Sequence, residues 1–144
     1  MKRRDWFKAA TATVIGAWAL LVENTRSDAA PNAAHYARCA KACQDCMKAC
    51  QICSKHCASM VKSGMKAHEK SLHLSEDCMD VCTLCAKLCE RQGPMAVALA
   101  EACLKACNAC GSECGKYATM QPMSACAKSC AVCAKTCQEL IAAK

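Results

Sequence analysis

Cysteine recurs through this chain at alternating intervals of four and three residues, and that interval decides what the backbone can do. The first run, CAKACQDCMKACQICSKHC, places Cys39, Cys43, Cys46, Cys50, Cys53 and Cys57 within nineteen residues. Three further groups follow: Cys78, Cys82, Cys85 and Cys89; Cys103, Cys107, Cys110 and Cys114; and Cys126, Cys130, Cys133 and Cys137. Every group carries C-x3-C-x2-C-x3-C. Alternating fours and threes mark the a/d seam of an α-helix. A strand would repeat every two residues, and a zinc ribbon would put a loop between ligand pairs.

The opposite face fixes the phase. Two residues after each d cysteine lies the outermost heptad position, held by Lys41, Lys48, Lys55, Asp80, Lys87, Lys105, Ser112, Lys128 and Lys135. All are polar, so cysteines face inward and charge faces water. Breakers separate the groups at Ser63-Gly64, Gly93-Pro94 and Gln121-Pro122. Helices are therefore expected near 33–62, 66–91, 95–118 and 122–142. Short connections make neighbours antiparallel, which predicts an all-α, up-down-up-down four-helix bundle with a cysteine-lined core. Gly111 and Gly115, inside the third helix, suggest only a closer backbone approach.

The first thirty residues read as an address. Lys2, Arg3, Arg4 and Lys8 precede an apolar run from Ala9 to Val22, too short to span a bilayer comfortably. Ser27-Asp28-Ala29 suits a small-x-small cleavage site, and Arg3-Arg4-Asp5-Trp6-Phe7-Lys8 resembles the twin-arginine export consensus. Residues 1–29 are read as a cleaved export signal and 30–144 as the four-helix-bundle domain, with a periplasmic destination and no membrane attachment after cleavage. The net charge is +7. Residues 1–29 carry five basic and three acidic groups, so the remainder is mildly basic, without the dense Lys/Arg run or stacking aromatics of a nucleic-acid binder.

Eighteen cysteines among 144 residues exceed what a hydrocarbon core would use, and Leu, Ile, Val and Phe are scarce. Export and an even cysteine count suit disulfides. Within a helix, however, residues i and i+4 have Cβ atoms about 5–6 Å apart, against the roughly 3.5–4.5 Å a disulfide wants. Bridges between helices stay open as an alternative. Soft thiolates also select Cu(I), zinc and iron–sulfur clusters. Zinc and cluster motifs favour discrete sites on loops rather than a continuous seam. Each Zn²⁺ held by four thiolates leaves a net −2, costly when repeated in one dry core. A monovalent ion replacing one proton per thiol keeps the core neutral. Cu(I) is therefore the expected cargo, with metallothionein-like binding of several thiophilic metals (Zn, Cd, Ag) as the alternative. No Ser/His/Asp set, carboxylate pair or phosphate loop points to catalysis.

The four C-x3-C-x2-C-x3-C helices after an export signal resemble the cysteine-rich four-helix-bundle copper storage proteins, over essentially all of 35–142. The resemblance implies a core holding many Cu(I) ions, mainly on Cys-x3-Cys pairs, with storage and buffering rather than catalysis. On this chain those pairs are Cys39/Cys43, Cys46/Cys50, Cys53/Cys57, Cys78/Cys82, Cys85/Cys89, Cys103/Cys107, Cys110/Cys114, Cys126/Cys130 and Cys133/Cys137. A copper-requiring exported enzyme or a copper chaperone is the expected partner, and association into a homo-oligomer is open.

Up-down topology brings Met60, Met65, His68, His73, Met120 and Met123 to one end, where thioether and imidazole form a candidate metal entrance. Extending the seam past the cysteines predicts Met60, Leu74, Tyr117 and Met123 as its next members, with the longer first helix overhanging the others. His35 and His56 lie beside the seam and are expected at the surface.

Overall fold

The computed structural model describes residues 31–144. The chain forms α1 (Ala33–Lys62), a 3₁₀ turn (Lys66–His68), α2 (Glu69–Glu90), α3 (Ala96–Gly115) and α4 (Gln121–Ala142). Three boundaries have a visible local cause. The Asn32 side chain accepts from the His35 backbone N–H and caps α1. Gly64 follows α1 with φ +93°, the left-handed conformation in which a Cβ is penalised. Pro122, in the first turn of α4, occupies a position where no helical N–H bond is lost. The expected helices are all present. The second opens with one 3₁₀ turn, and the third stops at Gly115, three residues early.

α1 packs on α2 and α4, and α3 packs on the same two helices. The sulfur contacts fix the directions. Cys39 meets Cys137, Cys43 meets Cys133, Cys46 meets Cys130 and Cys50 meets Cys126, so numbers rise on α1 as they fall on α4. α2 and α3 run oppositely in the same way, Cys82 to Cys103 and Cys78 to Cys107. α1 and α3 lie diagonally and parallel, touching at Cys43/Cys103, Cys46/Cys107 and Cys53/Cys114. The bundle is up-down-up-down, as the short connections require.

All eighteen cysteines are buried, and every one of the nine outermost heptad positions is exposed. The two ends differ. Leu140, Ala96 and Ala100 are fully buried at the end where α1 begins, with Leu88 nearly so, and close it with hydrocarbon. At the other end the buried set turns polar, with His68, Ser71, Ser75 and Glu113. Glu113 accepts from Lys116 at 2.7 Å and lies 3.4 Å from Lys70, tying the end of α3 to the start of α2. Contact with Lys116 and Lys70 holds its carboxyl below the usual range. Gly111 faces α4: a Cβ there would lie 3.1 Å from Cys130 Cβ. That is the close approach the glycine permits. Gly115 has nothing within 4 Å of such a Cβ, so no contact explains it.

No described helix is long and apolar enough to cross a membrane. The export signal read at 1–29 lies outside the described residues.

Candidate metal centre

Because a and d positions recur on all four helices, thiols from different helices converge in layers down the bundle axis. Cys43, Cys82, Cys103 and Cys133 come one from each helix, with all four sulfurs within 4.8 Å of one another. So do Cys46, Cys78, Cys107 and Cys130, and again Cys50, Cys78, Cys110 and Cys130. Toward the closed end, Cys39 and Cys43 join Cys85 and Cys137. Neighbouring sets share members, so the sulfurs form a continuous column rather than separate sites.

The thiols are free, and their closest approach is 3.5 Å, between Cys82 and Cys103. A disulfide would need about 2.05 Å. Six of the nine expected i,i+4 pairs are in contact: 3.9 Å for Cys46/Cys50, Cys78/Cys82, Cys103/Cys107 and Cys110/Cys114, and 4.0 Å for Cys53/Cys57 and Cys85/Cys89. Contacts between helices are as short or shorter, 3.7 Å for Cys46/Cys130 and 3.6 Å for Cys43/Cys133. With metal–thiolate bonds of roughly 2.3 Å, an ion shared by sulfurs 3.9 Å apart subtends about 115°. A third sulfur can then complete a trigonal site, and a small opening of the pair gives linear coordination. Helical spacing supplies the pairs; packing supplies the third ligand.

Burial works against thiolate charge in the column. Loss of solvent pushes the Cys57 thiol up. At Cys110, contact with Cys114 and Cys126 pushes upward, reinforced by burial. Among the described residues no lysine is buried with the column, so thiolate charge there is favoured when a cation replaces the proton.

The soft residues gathered at the polar end divide in two. Met123 is fully buried and accepts S–H contacts from Cys57 at 3.4 Å and Cys53 at 3.5 Å. His68 is 4% exposed, with its ring 4.4 Å from Tyr117, whose hydroxyl donates to the Ala67 carbonyl at 3.0 Å. Met60 and Met120 are half-buried. Met65 is exposed, and His73 points to solvent beside Glu76. These two stand apart from the column.

Two expectations need correction. Leu74 does not continue the α2 seam; Ser75 and Ser71 do, both fully buried. The spacing itself carries the signal. Before a four-residue step the alternation demands three, so the members preceding Cys78 are Ser75 and then Ser71. His56 is not a surface residue. It is half-buried, its Nε2 is sealed from solvent, and its ring meets His68 edge-on at 6.5 Å. The 3₁₀ turn carries His68 against it, a contact between segments that helical periodicity does not report. The overhanging sulfurs of α1 face Cys114 and Met123, and Met123 is one of the seam members expected there. His56 Nε2, His68 Nδ1 and Ser71 Oγ are all buried without a hydrogen-bond partner, and all lie at the polar end.

The family model described as copper storage protein matches residues 32–142. This chain belongs to the copper storage protein family. Solved structures agree across most of its length. The cytosolic copper storage protein of Streptomyces lividans, carrying five coppers, is 34% identical with a TM-score of 0.70, covering 76% of this chain and 94% of that one. The same protein loaded with ten copper equivalents gives 34% and 0.70, over 77% and 86%. Cu(I)-bound copper storage protein BsCsp3 is 33% identical with a TM-score of 0.66, over 74% and 98%. No curated protein matches. The shared fold is the cysteine-filled four-helix bundle described above, and the family is one of storage.

Proposed function

We propose that this chain stores and buffers Cu(I) on the thiolates of Cys39 through Cys137, filling the column described above. One observation carries the reading: sulfurs from all four helices meet within 4.8 Å, layer upon layer, in a core that excludes water. Soft donors at that density suit a soft monovalent ion, and replacing one proton per thiol keeps the interior neutral. The copper carried by the Streptomyces relative, five ions in one structure and ten equivalents in another, supports the same cargo here.

Copper enters at the polar end. His56, Met60, His68, Met120 and Met123 form the entrance, weaker donors leading to stronger ones; Met65 and His73 lie outside it. The orphaned nitrogens of His56 and His68 support this, since a passing soft cation satisfies them. Residues 1–29 direct export by the twin-arginine route to the periplasm, where the store serves a copper-requiring enzyme or chaperone.

Anaerobic titration of the reduced protein with Cu(I) against a competing chelator tests the storage reading. The expected capacity is on the order of one ion per cysteine. Saturation at only about four tight ions would refute it, and preferential filling by Zn²⁺ or Cd²⁺ at matched free-ion levels would favour the broader thiophilic binder. For the entrance, the triple variant Met60→Leu, Met120→Leu, Met123→Leu should slow uptake and removal, and unchanged rates sink it. Cell fractionation with Arg3→Lys/Arg4→Lys should show loss of export.

A further inference from the structure

A cavity of about 450 Å³ opens between the first turns of α1 and the last turn of α2, at the closed end of the bundle. Tyr36, Ala37, Ala40, Gln44 and Glu90 line it, and so does Cys89. Of the surface cavities described, this is the one with a storage thiol in its wall. Small side chains create the space: Ala33, Ala37 and Ala40 present one face of α1 where a longer residue would fill the groove. Gln44 donates to Glu90 across the rim, fixing a carboxylate there, and the Lys41 ammonium stands nearby, paired with Asp45. The volume lies within the roughly 300–1,000 Å³ of small-molecule sites.

Cys89 is the terminal sulfur of the column on this side. Its Sγ lies 4.0 Å from Cys85, and Cys85 belongs to the set with Cys39, Cys43 and Cys137. An ion on the Cys85/Cys89 pair is thus continuous with the store and one sulfur away from the cavity. The entrance at the other end is a separate feature, about 25 Å distant along the helices at roughly 1.5 Å per residue.

We infer that this cavity is a lateral transfer site for a low-molecular-weight thiol, a small zwitterion whose ammonium and carboxylate complement Glu90 and Lys41. The inference rests on the Cu(I) storage reading. The step is a ligand exchange. The incoming sulfur bonds the copper held by Cys85 and Cys89, the copper–Cys89 bond breaks, and the proton of the incoming thiol passes to Cys89 Sγ; a second thiol then displaces Cys85 in the same way, its proton passing to Cys85 Sγ, and the copper leaves bound to the two small thiolates. Copper stays Cu(I), and no electron moves. The reverse step loads the store.

L-Cysteine serves as the probe. The protein is filled anaerobically with Cu(I), and the initial rate of copper transfer to excess L-cysteine is followed by rapid desalting and metal analysis. Ala37→Trp fills the cavity while leaving all eighteen thiols in place, so capacity should be unchanged. Transfer should slow by about tenfold, which corresponds to about 1.4 kcal/mol on the barrier. Cys89→Ser is compared with Cys82→Ser, which loses a thiol inside the column. Cys89→Ser should be the slower of the two, and this comparison decides the matter if Ala37→Trp fails to fold. Equal rates for the wild type and Ala37→Trp, or for the two serine variants, overturn the lateral site. So does loss of all L-cysteine transfer when only the entrance methionines are replaced. Wild-type capacity is measured first, so a failure of the storage reading is seen separately.

Discussion

Gly111 and Gly115 lie one turn apart on α3, yet alanine should act on them with opposite sign. In a helix interior, alanine is favoured over glycine by about 0.8–1.0 kcal/mol. At Gly115 a new Cβ meets nothing within 4 Å, so the substitution should stabilise, by about 0.5 kcal/mol given its place in the last turn. At Gly111 the new Cβ would lie 3.1 Å from Cys130 Cβ and 3.6 Å from the Ala127 carbonyl oxygen. Cys130 Cβ is fixed to its backbone and cannot rotate away, so α3 and α4 must part by a few tenths of an ångström. Overpacking of this kind costs about 1–3 kcal/mol. Offset against helix propensity, Gly111→Ala should lose up to about 2 kcal/mol. The two variants should differ by about 0.5–2.5 kcal/mol, or roughly 2–10 °C in Tm for a domain of this size. Thermal unfolding of the reduced, copper-free variants, followed side by side by circular dichroism, measures the difference. A Gly111→Ala protein as stable as Gly115→Ala would refute the claim that the glycine sets the α3–α4 separation.

Extending the column should extend the store: Ser75→Cys places a thiol at a fully buried seam position and should raise Cu(I) capacity by about one ion, read in the same chelator titration. Acid should release copper, because each thiolate must surrender its ion to a proton. With burial holding thiols such as Cys57 above their usual value, loading at neutral pH should liberate about one proton per thiol engaged, measurable with an indicator dye. The same shift fixes the copper-free protein's behaviour in alkali. Thiol pKa values raised by folding stabilise fully below the unfolded value of about 8.5, so stability should fall as pH rises beyond it, seen as a falling denaturation midpoint. Tyr117→Phe removes the hydroxyl that bonds the Ala67 carbonyl at 3.0 Å and should speed copper exchange at the polar end, with capacity unchanged in the titration.

The helices were legible in the sequence because their signals are local. A four-three alternation of cysteine, lysines on the opposite face and breakers between the groups need only the pitch of a helix to be read. Short connections then left one arrangement of four amphipathic helices, and cysteine had to line its interior. Ser71 and Ser75 were equally legible, since they obey the alternation; stepping back four residues from Cys78 instead of three misplaces them at Leu74.

Tertiary structure decided what depends on register between helices. Spacing predicts that Cys46 and Cys50 share a face, but only packing brings Cys78, Cys107 and Cys130 to Cys46 and turns four ladders into one column. The contact of His56 with His68 arises because a 3₁₀ turn folds back over the end of α1, placing side by side two residues twelve apart in the chain. Gly111 shows the same division. Its lack of a side chain is plain in the sequence, but the Cys130 Cβ that gives that lack a purpose lies across the interface on α4. Periodicity is a property of one helix, whereas distances between helices are set by the side chains of both.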